Sequence, residues 1–285
     1  MARKKVKKPA KTQKAKKPAA RSLAMPLEKL PDLPQRAGLP AKDSIIGITS
    51  LPAAQMAGAA AGATKYRIIH TNETDEYEKA AASPTAFMAA AKAAPSGDNF
   101  AGTDRKAAKL SIANAPIENF GDVKDLIEKL PPEATMKAHQ PKISEASTSN
   151  RVQEEEKNVH VKAFIYALSK ESDNDFHLIL GRDPKATPEV YMTMELSGLP
   201  PANAASFHTL QAVRNTFKQF YTAKVGNLPG PGYDFPDPPI PVEVEGSLFF
   251  DIKHASGTRP GPKSLKSRMP VIWEVHPITK MTFEG

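Results

Sequence analysis

The chain of 285 residues carries 39 Lys and Arg against 31 Asp and Glu, a net charge of +8, and pairs 27 prolines with only 7% aromatic residues. It has no cysteine, which excludes disulfides and thiolate-bound metals. No run of strongly apolar residues reaches the length of a bilayer span, so no membrane-crossing helix is expected.

The charge is concentrated at one end. Residues 1–21, MARKKVKKPAKTQKAKKPAAR, hold ten Lys or Arg, among them Lys4, Lys5, Lys7 and Lys8, and no acid. Without them, 29 basic residues face 31 acidic ones, so the basicity belongs to a tail rather than to a folded surface. Residues 1–44 are expected to be a disordered basic and Pro-rich arm, because they repel themselves and lack apolar side chains to bury. In composition the arm resembles the tails of linker-histone-like proteins. The next stretch, IIGITSLPAAQMAGAAAGAT (45–64), has the outline of an export signal, but its basic leader is too long and its apolar part poor in Leu. A flexible Ala/Gly segment is expected there, and a cytoplasmic location, with nucleoid association an option for the arm.

Residues 45–157 form a low-complexity, partly helical region. KYRIIHTN suits a short strand, DEYEKAAA and TAFMAAAKAA suit helices, the second capped by Ser83 before Pro84, and GDVKDLIEKLPP (121–132) suits a short amphipathic helix. None has the apolar surface of a domain. They are either loose or packed on the body that follows.

That body is residues 158–285. Of the nineteen aromatic side chains, fourteen lie after Asn158, and large side chains supply most of a core's burial. NVHVKAFIYALSKE alternates with the period of a half-buried strand, and DNDFHLILGRD and TPEVYMTMELSG follow as a second and third. ASFHTLQAVRNTFKQFYTAK (205–224) lines Phe207, Leu210, Val213 and Phe217 along one helical face. The Pro-rich 226–241 reads as a connection, then IPVEVEGSLFFDIKH and PVIWEVHPITKMTF give a fourth and fifth strand. Three strands, a helix and two strands is the order of an OB-like five-stranded barrel with its helix between strands three and four. The last strand is expected to pair back near the first. A split barrel or an open antiparallel sheet would give a similar pattern.

Three segments, DNDFHLIL, VEGSLFFDIKHA and IWEVHPITKM, resemble those of a group of uncharacterised bacterial proteins. That group repeats a D-x-D-F/Y-H-L element, a G-x-L/F-F-F/Y-D-x-x-H element and a closing W/L-E-I/L-H-P element. The likeness covers about residues 158–283. It implies an OB-like barrel related in shape to staphylococcal nuclease, and it implies no activity.

Strands that otherwise look buried carry Asp175, His177, Glu195, Asp251, His254, Glu274 and His276. Asp175 and His177 are two apart, as are Glu274 and His276, so each pair shares a sheet face. Either the side chains do not converge or, if the barrel closes, some of these groups are expected to converge at one barrel end. They would then form a structural network, a site for Zn²⁺, Mn²⁺ or Mg²⁺, or a general acid/base site in which His177, His276 or Glu274 moves protons. No metal motif of fixed spacing is present. Trp273 is expected in the core; Phe249 and Phe250 point to opposite faces, so one is core and the other is either covered by the helix or available for stacking. His160 and His208 read as surface histidines. The loop GTRPGPKSLKSR carries Arg259, Lys263, Lys266 and Arg268 without an acid, which suits phosphate contact.

Three functions follow. The leading one is a binding module for nucleic acid or another polyanion, with the tail adding sequence-independent attraction. The alternatives are a metal-dependent, phosphodiester-directed hydrolase and a protein-interaction domain.

Overall fold

A computed structural model of the chain describes residues 38–50, 66–74, 97–256 and 259–284. Strands β1 (Ile45–Ser50) and β2 (Arg67–Thr71) come first, then α1 (Lys106–Lys109), β3 (Ile117–Phe120), α2 (Val123–Ile127) and α3 (Glu133–Lys137). β4 (Asn158–Lys170), β5 (Phe176–Gly181) and β6 (Tyr191–Leu196) precede α4 (Phe207–Lys224). β7 (Asp234–Asp237), β8 (Ile240–Phe250), α5 (Lys263–Lys266) and β9 (Trp273–Phe283) complete the order.

β4, β5 and β6 form an antiparallel meander. β9 lies parallel to β6 and antiparallel to β8, and β8 returns to β4 from Asn158↔Ser247 to Ile165↔Ile240. This closes a five-stranded barrel with its main helix between the third and fourth strands, the fold expected from the sequence. One detail differs: the last strand sits between the third and fourth, and it is β8 that closes on β4.

Alternation along each strand fills the barrel. Val159, Val161 and Ile165 of β4, Leu178 and Leu180 of β5, Met192 and Met194 of β6, and Trp273 and Val275 of β9 belong to one buried cluster. Burying each such side chain contributes about 1.5–3 kcal/mol. α4 adds Val213, Phe217 and Tyr221 to this core, with the Phe217 ring 4.9 Å from that of Phe176. Trp273 is an anchor of this core, and its Nε1–H donates to the Pro131 carbonyl at 2.9 Å.

Outside the barrel a second apolar layer forms. β7 pairs with β2 and meets β4 at Leu168↔Asp234, and β1 pairs with β2. Ile45, Ile48, Ile69 and Phe235 of this extension pack with Tyr166, Ile179, Tyr191, Leu265 and Met269. Two expectations change here. Ile45–Ser50 opens the predicted Ala/Gly segment as a strand, and Asp234–Asp237 is a strand within the predicted Pro-rich connection. The helices predicted at DEYEKAAA and TAFMAAAKAA lie outside the described residues.

The region before the barrel packs on it where it is described. β3 runs parallel to β4, and Val123, Leu126, Met136 and Ile143 enter the barrel's own core. α2 falls within the predicted 121–132 helix and is capped by Asp122, which accepts from the Lys124 and Asp125 amides. Arg105, fully buried, donates in bidentate fashion to Glu155 at 2.6 and 2.8 Å and also to the carbonyls of Phe250 and Asn150. The segment around α1 is thereby strapped across the outside of β8 and β9.

Candidate metal centre

The alternation that sends Phe176, Leu178, Met194 and Val275 into the barrel sends their neighbours out. His177 on β5, Thr193 and Glu195 on β6, Phe249 on β8, and Glu274 and His276 on β9 therefore share the sheet's outer face. The register brings them together. His177 stands directly opposite Glu195, and Glu274 stands between Thr193 and Phe249. Covered by the strapped segment, Asp175 and His276 are fully buried, and His177 and Glu274 nearly so.

His276 is at the centre. Its Nδ1 lies 2.9 Å from Glu195 Oε2 and 3.6 Å from Glu274 Oε2, and its Nε2 lies 3.4 Å from Asp175 Oδ2. The ring pairs with Glu195 through Nδ1, while Nε2 makes no hydrogen bond. Asp175 Oδ2, Glu274 Oε2 and the Thr193 hydroxyl are likewise buried without one. A network built only to fix strand register satisfies its members. This one leaves two carboxylate oxygens and one ring nitrogen of His276 without a hydrogen bond. Asp175, Glu195 and His276 each offer one ligand atom, all three within 4.8 Å of one another, a group that could hold one metal ion.

The surroundings hold the donors in place. Asp175 Oδ1 accepts from the Gly198 amide at 2.5 Å. Arg151 donates to the His276 carbonyl at 2.6 Å, fixing β9 where it carries the ring, and burial pulls its guanidinium down to about 10. His177 Nδ1 lies 3.0 Å from Glu171 and 3.4 Å from Glu195 Oε1, so Glu195 faces a histidine with each oxygen.

Charge is divided unevenly among the acids. Burial pushes the Asp175 carboxyl well above the usual range, with Asp173 adding to it. Burial does the same to Glu274, helped by Glu195 and Asp251. Glu195 goes the other way: burial resists its ionisation, but Lys109 and then His276 hold it well below the ordinary value. Burial lowers His276 against the pull of Glu195, which favours the neutral ring that ligates metals. Lys109 Nζ stands 3.8 Å from Asp173 and 3.9 Å from both Asp175 and Glu195. Burial would depress this ammonium, but Glu195, Asp175, Asp173 and Glu274 together raise it well above a free lysine.

A cleft of about 350 Å³ opens beside the cluster, with Glu195, Glu274, His177 and Lys109 in its wall. Asp251 and His254 line it too, paired with each other. All seven residues singled out in the sequence therefore lie in or beside one site. Sequence reasoning passed over Lys109, Glu171 and Asp173. Asp173 lay within the quoted D-x-D element, whereas Lys109 sits in an Ala-rich stretch with no local signal.

The predicted polyanion loop is arranged differently. Arg259 is paired with Glu133 at 2.9 Å, and Arg268 with Glu189 while its Cζ stands 5.8 Å from the Tyr191 ring centre. Lys263 is exposed, and its backbone amide donates to Glu73 at 2.9 Å; Lys266 is half-buried. Lys4, Lys5, Lys7 and Lys8 lie outside the described residues. Phe249 is the aromatic that faces outward, under the Arg105 guanidinium at 4.7 Å, while Phe250 is in the core. Partly exposed His160 lies 3.3 Å from Glu243. Among the described residues, no helix is long and apolar enough to cross a membrane.

Compared with protein-family models, with curated proteins and with solved structures, the chain matches none of them.

Proposed function

We propose that this protein is a metal-dependent hydrolase whose ion is held by Asp175, Glu195 and His276 on the outer face of its barrel. The observation that carries this reading is the buried trio of Asp175, Glu195 and His276, one donor atom from each lying within 4.8 Å of the others, with Asp175 Oδ2 and His276 Nε2 making no hydrogen bond. A donor set of two carboxylates and one imidazole, with no thiolate, suits Zn²⁺ or Mn²⁺ and permits Mg²⁺. A bound Zn²⁺ would lower the pKa of a water it holds to about 7 and so would supply a nucleophile at neutral pH.

The chain's own groups fit the remaining roles. Glu274 lines the cleft, and burial raises its carboxyl well above the usual carboxylate value, so it holds a proton more tightly than a free glutamate. Lys109 stays cationic beside it and favours negative charge developing on a substrate oxygen. His177, held between Glu171 and Glu195, orients Glu195.

The polyanion-binding reading has less support from the folded body, because Arg259 and Arg268 are committed to Glu133 and Glu189. Its remaining basis is the composition of residues 1–21.

Elemental analysis of protein purified without chelator tests the proposal. About one equivalent of Zn²⁺ or Mn²⁺ per chain is expected. Adding metal at a hundredfold excess over its Kd should stabilise the fold by about 2.7 kcal/mol. A metal-free protein whose unfolding ignores Zn²⁺, Mn²⁺ and Mg²⁺ would overturn it.

A further inference from the structure

On the outer sheet a hydroxyl, an imidazole and a carboxylate are joined in series. Thr49 Oγ1 of β1 lies 2.5 Å from His70 Nε2 of β2, and His70 Nδ1 lies 2.6 Å from Asp234 Oδ1 of β7. The other oxygen of Asp234 accepts from the Tyr221 hydroxyl of α4 at 3.5 Å. With Nδ1–H donating to the carboxylate, Nε2 is left to accept the Thr49 proton. This is the connectivity by which an imidazole activates an oxygen nucleophile. Exposure rises along the series. The Asp234 side chain is 6% exposed and that of His70 31%, and Thr49 is half-buried, so the reactive end is the one that solutes reach.

A local irregularity of β1 makes the arrangement. Ile45 and Ile48 both pack in the second apolar layer although they are three apart, which strict alternation forbids. Between Ile45 and Gly47 the strand advances two residues while β2 advances one, from Thr71 to His70. This bulge shifts the phase and turns Gly47 and Thr49 to the face of His70. Gly47 stands directly opposite His70, so β1 sets no side chain over the ring. Among the described residues β1 pairs with β2 alone, and alternate N–H groups along such an edge point outward, where they can receive an oxyanion. The border of the site is apolar. Ile68, on the same face as His70, joins Tyr66 and Tyr221 in the barrel core. Tyr66 stands 6.2 Å from the half-buried Phe220 ring, which stacks on Phe283 at 3.8 Å.

We propose that Thr49, His70 and Asp234 form a second catalytic site, which hydrolyses esters of apolar carboxylic acids through an acyl group carried on Thr49. Thr49 Oγ1 attacks the carbonyl carbon and its proton passes to His70 Nε2. The bond from that carbon to the alcohol oxygen breaks, and the departing oxygen takes the proton from Nε2. Water then adds to the acyl carbon, His70 accepting one of its protons and returning it to Thr49 Oγ1 as the acid leaves. Ester and water give acid and alcohol, with no other reactant. Asp234 holds the ring and its tautomer throughout. The site shares no residue with the metal cluster and does not rest on it.

The test gives p-nitrophenyl butyrate to the full chain in the presence of EDTA. Nitrophenol should appear faster than in buffer alone, and early quenching should leave a butyryl group that peptide mass spectrometry maps to Thr49. Burial would depress the His70 pKa, but the hydrogen bond and charge of Asp234 raise it, so the rate should climb with pH above about 6.5. His70→Asn should slow the reaction at least about a hundredfold. Thr49→Val should carry no label, whereas Thr49→Ser should still be acylated at that position. Because Thr49→Ser keeps a hydroxyl beside His70, it decides the matter even where Thr49→Val unfolds. Absence of label at position 49 in both the natural chain and Thr49→Ser overturns the inference, as does unchanged hydrolysis by a folded Thr49→Val. Hydrolysis that appears only when Zn²⁺ replaces EDTA also overturns it, and assigns the activity to the metal centre.

Discussion

Glu195 is the residue on which the cluster turns, because its oxygens face histidines on two different strands, 3.4 Å from His177 Nδ1 and 2.9 Å from His276 Nδ1. Glu195→Gln keeps its size and removes its charge, so metal affinity should fall at least about a hundredfold while the barrel core stays packed. Competition against a chromophoric zinc chelator measures that fall; unchanged affinity would show that Glu195 is no ligand. Arg105 tests a different bond. It is buried with Glu155, and Arg105→Ala would strand a buried carboxylate, which costs about 3–5 kcal/mol. Urea unfolding should register that loss. A change below about 1 kcal/mol would mean that solvent reaches Glu155 once Arg105 is gone, as at a surface pair.

At the scale of elements, the outer sheet carries its own titration. His70 of β2 lies 2.6 Å from Asp234 of β7 and 2.5 Å from the Thr49 hydroxyl of β1, and the Tyr221 hydroxyl of α4 reaches the same Asp234 at 3.5 Å. Burial would lower the His70 pKa, but the hydrogen bond and charge of Asp234 prevail and raise it. A raised histidine stabilises the fold fully below its unfolded pKa, about 6.5, and loses that contribution as the pH climbs through the folded value. Asp234, raised by burial, acts in the same direction. The stability difference between the natural chain and His70→Asn should therefore shrink as the pH rises above about 6.5, measured as urea midpoints. A constant difference would mean the pair carries no net charge coupling. Elements also differ in how openly they announce themselves. β4, β5, β6, β8 and β9 were legible because a half-buried strand repeats every two residues and each of these runs long enough to display it. β7 has four residues with Pro236 among them, and it is a strand only because β2 lies beside it. β1 was obscured by the Ala/Gly stretch that follows it in sequence.

At the scale of the whole molecule, one barrel does two jobs that the sequence states separately. Its inner face is apolar and visible as periodicity. Its outer face holds the polar cluster, whose members were legible as residue types but whose depth was not, because burial there comes from the strapped segment around Lys109. A lysine gains meaning from three distant carboxylates only after folding, so nothing in its neighbourhood marks it. The arm poses the opposite case, charge that is conspicuous in sequence and absent from the described body. Residues 1–21 hold ten cations and no acid, whereas the rest of the chain is close to neutral. If the arm is an electrostatic appendage, deleting residues 1–37 should leave the thermal midpoint of the metal-treated protein where it was. Retention on immobilised double-stranded DNA at low salt should disappear with it. For the intact chain, the logarithm of that affinity should fall linearly with the logarithm of salt, by about 0.9 for each phosphate neutralised. A midpoint several degrees lower after deletion would make the arm part of the fold. DNA retention that survives deletion would place the polyanion surface on the barrel.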